Sequence, residues 1–255
     1  MTKENTVWVF GDSFTDLQRK SKITNRISTW SERLADMLNM NLENTGRGAT
    51  GVEWVFKHYH DALPNIKKDD IVIFSITKFS RRWILKSQPG FSSYELLDRG
   101  TWSDRLKRLF INEDEYLEYT GVLADPNEEL LIAETELFLD AVEAHMKRIG
   151  FKVIAFPCFK DCNPVCNIKR DSFIEVEGWL HEISKNEPVE SEFNSTRDFL
   201  AKNVDNRFNH MCEPNHIILA EKIKKALEEN TSINLLEGFK KDFLTIEMLK
   251  SGRQI

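Results

Sequence analysis

The chain has 255 residues, 41% of them hydrophobic, which is enough for one large domain with a well-buried core. A formal net charge of −6 and a pI near 5.6 argue against nucleic acid or an anionic membrane as the main partner, since those call for a basic face, and favour a neutral or weakly charged substrate. Residues 1–5 lack the apolar stretch of a signal peptide and no run approaches the roughly 20 apolar residues of a membrane span, so a soluble cytoplasmic protein is expected.

The first element is the short run Val7, Trp8, Val9, Phe10, a β-branched and aromatic strand that stops at Gly11, Asp12, Ser13, Phe14, Thr15, Asp16. A strand ending in Gly-Asp-Ser predicts a tight loop holding a serine hydroxyl at the mouth of a parallel sheet, where α/β proteins place their chemistry. Thr29 and Glu32 have the spacing of a capping box, and Trp30, Leu34, Met37 and Leu38 continue at helical period. Residues 41–43 are read as a short second strand, followed by the glycine-rich segment Asn44, Thr45, Gly46, Arg47, Gly48, Ala49, Thr50, Gly51 and a helix over 53–63. Asp70 opens the apolar run Ile71 to Ile76, the pattern of a central strand buried on both faces, which ends in Thr77, Lys78, Phe79, Ser80, Arg81, Arg82.

Periodicity weakens from about 83 to 127, where Pro89-Gly90 and Asp125-Pro126 mark breaks, and an insertion flanking the site is expected there. Residues 128–149 predict a long amphipathic helix closed by Gly150, and 151–156 a fourth strand stopped by Pro157. A second, polar insertion spans 167–204, with Phe173 and Trp179 as aromatic anchors, and a helix over 215–227 follows. The alternation predicts one α/β domain over residues 1–230, doubly wound around a mainly parallel sheet, with insertions near 84–127 and 167–204 and a C-terminal extension at 231–255. Loops after the strand ends then converge, bringing Ser13, the 44–51 loop, the 77–82 loop and the 157–166 segment to one rim.

Cys158, Cys162 and Cys166 lie at C-x3-C-x3-C spacing, which is atypical for zinc, although Cys212 or His210 would complete a four-ligand set. Reduced thiols without metal are expected. His58, His60, His145 and His181 have no partner at a telling spacing and are read as structural or surface residues, and His216 as a helix-surface or packing residue. Trp54, Trp83, Trp102 and Trp179 are read as core or lid packing.

The blocks just described resemble the SGNH hydrolases, the GDSL-type esterase and lipase family: Gly11-Asp12-Ser13 after a first strand, a glycine-rich loop at 44–51, and His210 ahead of the Pro214-Asn215-His216 helix start. The resemblance covers residues 6 to about 227. It implies a three-layer, flavodoxin-like α/β fold and a serine esterase that needs no metal or cofactor. A serine hydroxyl is a poor nucleophile without an adjacent base, and His210 suits that role because an imidazole titrates near pH ~6.5. The oxyanion would be met by the backbone N–H groups of Ser13 and Gly48, with Gly46 and Gly51 as rivals, a contribution worth a few kcal/mol in comparable sites.

Two positions depart from the family pattern. The Gly-x-Asn-Asp that ends the family's central strand is replaced by Ser75 to Arg81, leaving Thr77, Ser80 or Arg81 as substitute donors. The Thr77-x-x-x-Arg81 pattern is similar to divergent, phage-encoded members. The family's Asp-x-x-His is also absent, because Arg207 stands three before His210 and a guanidinium only donates. Asp205, five before His210, or a backbone carbonyl is left to orient the ring. The expected activity is hydrolysis of a small O-acyl ester, with carbohydrate O-deacetylation as one form. The alternative is a catalytically impaired relative that binds a glycan or a partner protein.

Overall fold

Val7, Val9 and Phe10 have no exposed surface because the strand they belong to runs through the middle of the domain. The computed structural model describes residues 3–17, 28–48, 50–79, 82–84, 95–97, 128–166, 170, 172–184, 211 and 213–240. Strands β1 (Thr6–Phe10), β2 (Asn41–Asn44) and β3 (Ile71–Ile76) alternate with helices α1 (Trp30–Met37) and α2 (Val52–Ala62). A hairpin of β4 (Arg82–Ile84) and β5 (Glu95–Leu97) comes next, then helix α3 (Glu128–Ile149) and β6 (Lys152–Pro157). The chain continues through the single turn α4 (Asn163–Cys166), β7 (Phe173–Ile174), β8 (Val176–Glu177), α5 (Glu213–Glu229) and β9 (Ile233–Asn234).

Among the described residues the main sheet has five strands in the order β2-β1-β3-β6-β7, all paired in parallel. From β1 the chain steps outward to β2, then returns past β1 to β3 and proceeds the other way. The order therefore reverses between β1 and β3, the position at whose carboxyl end open α/β sheets place their ligand sites.

Side chains alternate along each strand, so the sheet feeds two cores. On one face Val7, Val9, Ile73 and Ile154 pack with Trp30 and Leu34 of α1 and with Leu219, Ile223 and Leu227 of α5. On the other, Phe10, Val72, Phe74 and Val153 pack with Val55 and Tyr59 of α2 and Leu139, Val142 and Met146 of α3. Burial on both faces is why β3 has no polar position except Ser75.

Local signals act where the sequence puts them. Glu32 accepts the Thr29 N–H at 2.9 Å, closing the capping box of α1. Gly150 takes a φ of +90° and donates to the Met146 carbonyl at 2.7 Å, ending α3 in the left-handed conformation that glycine adopts without penalty. The helix expected over 215–227 begins earlier, at Glu213, because Pro214 in its first turn needs no intrahelical N–H bond. Pro157 does not stop β6 but forms its last residue, opposite Ile76, and the ladder resumes through the Cys158 N–H to the Ile76 carbonyl at 2.9 Å.

Two segments contain structure that no periodicity announced. Phe173–Ile174 is the fifth strand of the main sheet, and Val176–Glu177 pairs in parallel with Ile233–Asn234. Ile233 and Leu235 are buried in the α1–α5 core, which brings the beginning of the 231–255 segment back onto the domain. Among the described residues no helix is long and apolar enough to cross a membrane.

Candidate active site

β1 ends at Phe10, and the next residues fold into a tight turn because Asp12 supplies acceptors for it. Its carboxylate accepts the Phe14 N–H at 3.0 Å, and its carbonyl accepts the N–H groups of Thr15 and Asp16 at 3.1 and 3.2 Å and the Thr15 hydroxyl at 2.8 Å. Ser13 sits at the head of this turn, half-buried, between two fully covered neighbours. It stands at the end of β1, beside the point where the strand order reverses.

The turn is fixed from below. Asp12 is fully buried, and its Oδ1 lies 3.4 Å from the Ser75 hydroxyl and 3.5 Å from the Cys158 thiol, which are 2.8 Å from each other. These groups lie at the ends of β1, β3 and β6, so three strands meet under Ser13. Gly11 has no alternative, since a Cβ there would come within 2.5 Å of Ser75 Cβ. Trp30, also fully buried, donates its indole N–H to the Phe14 carbonyl at 3.0 Å and its backbone N–H to His216 Nδ1 at 3.1 Å.

The glycine loop is tied to the same turn. Asn44, the last residue of β2, donates to the Thr15 carbonyl at 2.8 Å and to Ser31 Oγ at 3.1 Å, while its Oδ1 accepts the Gly46 N–H at 2.7 Å. The Arg47 N–H and the Thr50 hydroxyl both donate to the Gly11 carbonyl, at 3.1 and 3.3 Å. A Cβ on Gly46 would fall 2.2 Å from Thr15 Oγ1, so this glycine wedges the loop against the turn. Gly48 faces Ser13, with a Cβ built there lying 3.8 Å from Ser13 Cβ and 3.6 Å from Asp16 Oδ2. Its N–H donates to Asp16 Oδ2 at 3.3 Å. The rival Gly46 has its N–H on Asn44, and Gly51 is the N-cap of α2.

Thr77 is buried, and its carbonyl accepts from the Cys162 thiol at 3.2 Å. Ser80, Arg81, Asp205, His210 and Cys212 lie outside the described residues. The chain just beyond His210 is firmly held: Met211 is buried in the core that contains Phe14, Glu213 pairs with Arg33 at 2.8 Å, and Asn215 donates to the Ile183 carbonyl at 2.9 Å. Of the two roles expected for His216, surface or packing, burial selects packing.

Cys158, Cys162 and Cys166 are free and buried, and burial pushes the thiols of Cys162 and Cys166 above the usual range. Among the described residues no group of three His, Cys, Asp or Glu side chains is arranged to hold a metal ion. Trp54 is covered by Arg47, whose guanidinium lies 5.3 Å over the ring, and by His58 with centroids 4.1 Å apart, so it packs the loop–helix junction. Burial and Lys57 lower the His58 imidazole below its ordinary value.

Asp16, Asn44, Ser75 and Cys158 stand inside the motifs, but the motifs do not assign their part in building the turn. For Asn44 the local signal is a strand-final asparagine two residues before a glycine, whose N–H its side chain accepts. No protein-family model, no curated protein and no solved structure matches this chain.

Proposed function

We propose that the protein is a serine esterase of the SGNH type that hydrolyses a small O-acyl ester, with an acetylated carbohydrate as one substrate form. The observation that carries this reading is the meeting of the Ser13 turn and the Gly48 backbone at the carboxyl end of β1, beside the strand-order reversal. A second observation supports the pairing with His210. Trp30 donates its indole N–H to the residue after Ser13 and its backbone N–H to His216, six residues beyond His210, so one buried residue bonds to both segments of the proposed machine.

In this reading His210 accepts the Ser13 proton as Oγ attacks the ester carbonyl. The oxyanion is met by backbone N–H groups of Ser13 and Gly48. Collapse of the tetrahedral species breaks the bond to the alcohol, which leaves with the proton from His210, and water then hydrolyses the acyl-serine by the same steps in reverse roles. Asp205 or a backbone carbonyl orients the imidazole, and Thr77, Ser80 or Arg81 stands in for the missing asparagine donor. Turnover of p-nitrophenyl acetate that disappears in Ser13→Ala is the expected result, and equal rates in both proteins would contradict it.

A non-catalytic binding role is the second reading. It is favoured by the burial of Thr77 and by the engagement of the Gly48 N–H with a carboxylate, both of which subtract from a ready oxyanion site. A binding protein would leave Ser13 unreactive toward a fluorophosphonate.

A further inference from the structure

Asp16 lies three residues after Ser13 on the same turn, with its own N–H fixed on the Asp12 carbonyl at 3.2 Å. Its carboxylate reaches across to the Gly48 N–H at 3.3 Å, and the face of Gly48 lies against Ser13 as well. A nucleophile, a backbone donor and a negative charge therefore share one small region. The Phe14 N–H lies 3.0 Å from the Asp12 carboxylate on the same turn, so the Gly48 bond at 3.3 Å is the longer of the two and one that an incoming oxygen can replace. Asp16 is only half-buried, and Gly48 is exposed, so the carboxylate has solvent to swing into.

We propose that Asp16 is a displaceable latch on the oxyanion donor: it occupies the Gly48 N–H in the substrate-free protein, yields it to a neutral acyl carbonyl, and turns away acyl groups that carry negative charge. The proposal rests on Ser13 as nucleophile and Gly48 as oxyanion donor. Opening the latch exchanges one hydrogen bond for another, with no covalent bond or proton transferred. The carboxylate remains close after it swings aside. A second anionic group on the acyl chain would meet it at short range, where like charges repel strongly even near a protein surface. Asp16 thus sets specificity for uncharged acyl groups, a stronger statement than the overall charge of the chain allows.

The decisive variant is Asp16→Asn, which keeps the shape and an acceptor oxygen for Gly48 but removes the charge. Wild type and variant are compared on p-nitrophenyl butyrate and on the anionic mono-p-nitrophenyl succinate. The expected result is a rise of roughly tenfold in kcat/KM for the anionic ester relative to the neutral one, equivalent to about 1.4 kcal/mol of barrier. In parallel, the Gly48 amide resonance should move in the variant, and a fluorophosphonate should label Ser13 in both proteins. Labelling with an unchanged charge preference, or with an unmoved Gly48 resonance, overturns the latch alone. Absence of labelling in both proteins overturns the nucleophile assignment on which it rests.

Discussion

The indole N–H of Trp30 is bonded to the carbonyl of Phe14 at 3.0 Å, so the first helix holds the backbone of the Ser13 turn from the core side. Phe14 is buried, and Trp30→Phe would take this donor from its carbonyl. A buried acceptor stripped of its partner costs about 1–3 kcal/mol. The urea midpoint of Trp30→Phe should fall accordingly with an unchanged slope, and labelling of Ser13 by a fluorophosphonate should slow. Normal stability in this variant would mean that the bonds from Asp12, Asn44, Arg47 and Thr50 hold the turn without Trp30.

Gly46 and Gly48 lie two residues apart but answer differently to an added methyl. At Gly46 the new Cβ would stand 2.2 Å from Thr15 Oγ1 and 2.7 Å from the Thr15 backbone carbon, and backbone cannot step aside cheaply. Gly46→Ala should lose about 1–3 kcal/mol of stability, the usual cost of forcing atoms into a filled space. Gly48→Ala meets atoms only at 3.6 and 3.8 Å, ordinary contact, and should stay within about 0.5 kcal/mol of wild type. Thermal unfolding of the two variants side by side checks both.

Asp70 is a fully buried carboxylate that staples the start of the sheet. Its oxygens accept the Thr6 N–H at 2.9 Å, the Trp8 indole N–H at 2.9 Å and the Lys67 N–H at 3.1 Å. Asp70→Ala removes the acceptor of all three donors at once, and a loss of about 3 kcal/mol or more is expected from a broken buried network. Asp70→Asn should be intermediate, since an amide oxygen satisfies some of the donors while its NH2 opposes the rest. Denaturant titration of the three proteins gives the order.

Stability should decline on both sides of neutral pH for identifiable reasons. Burial raises the Cys162 and Cys166 thiols, so the folded chain keeps protons that an unfolded thiol, ordinarily near 9.0, releases. The unfolded state then binds fewer protons, and stability falls as pH rises above that value. Burial and Arg148 lower His145, whose Nδ1 lies 2.9 Å from the Tyr59 hydroxyl, so the folded imidazole stays neutral where an unfolded one, near 6.5, takes up a proton. Stability gained from this group is present above 6.5 and is lost as pH falls below it. Tm measured against pH should show both declines, with Cys162→Ala flattening the alkaline one and His145→Gln the acid one.

The parts of the fold legible in the sequence are those whose pattern is dictated by burial on the spot. β1, β3 and β6 are near-continuous apolar runs because both faces of the sheet are covered, and Thr29, Glu32 and Gly150 mark helix ends by local hydrogen bonding and local φ. β7, β8 and β9 were not legible: two residues each is too short for any period, and neighbouring strands impose their conformation. The site divides in the same way. Ser13 and Gly48 stand in short motifs, whereas Asn44 acts on a residue 29 positions away and Cys158 on one 146 away, relations that exist only after folding. Asp16 stood in the opening motif, but its partner Gly48 is 32 residues on.

The central claim is that Ser13 is an activated nucleophile. Reaction of the native chain with a fluorophosphonate, followed by peptide mass spectrometry, tests it without knowledge of the substrate. A single adduct on the peptide containing Ser13, absent in Ser13→Ala and strongly reduced in His210→Ala, is the predicted result. An unlabelled Ser13 in the folded protein, or labelling that persists undiminished in His210→Ala, would contradict it.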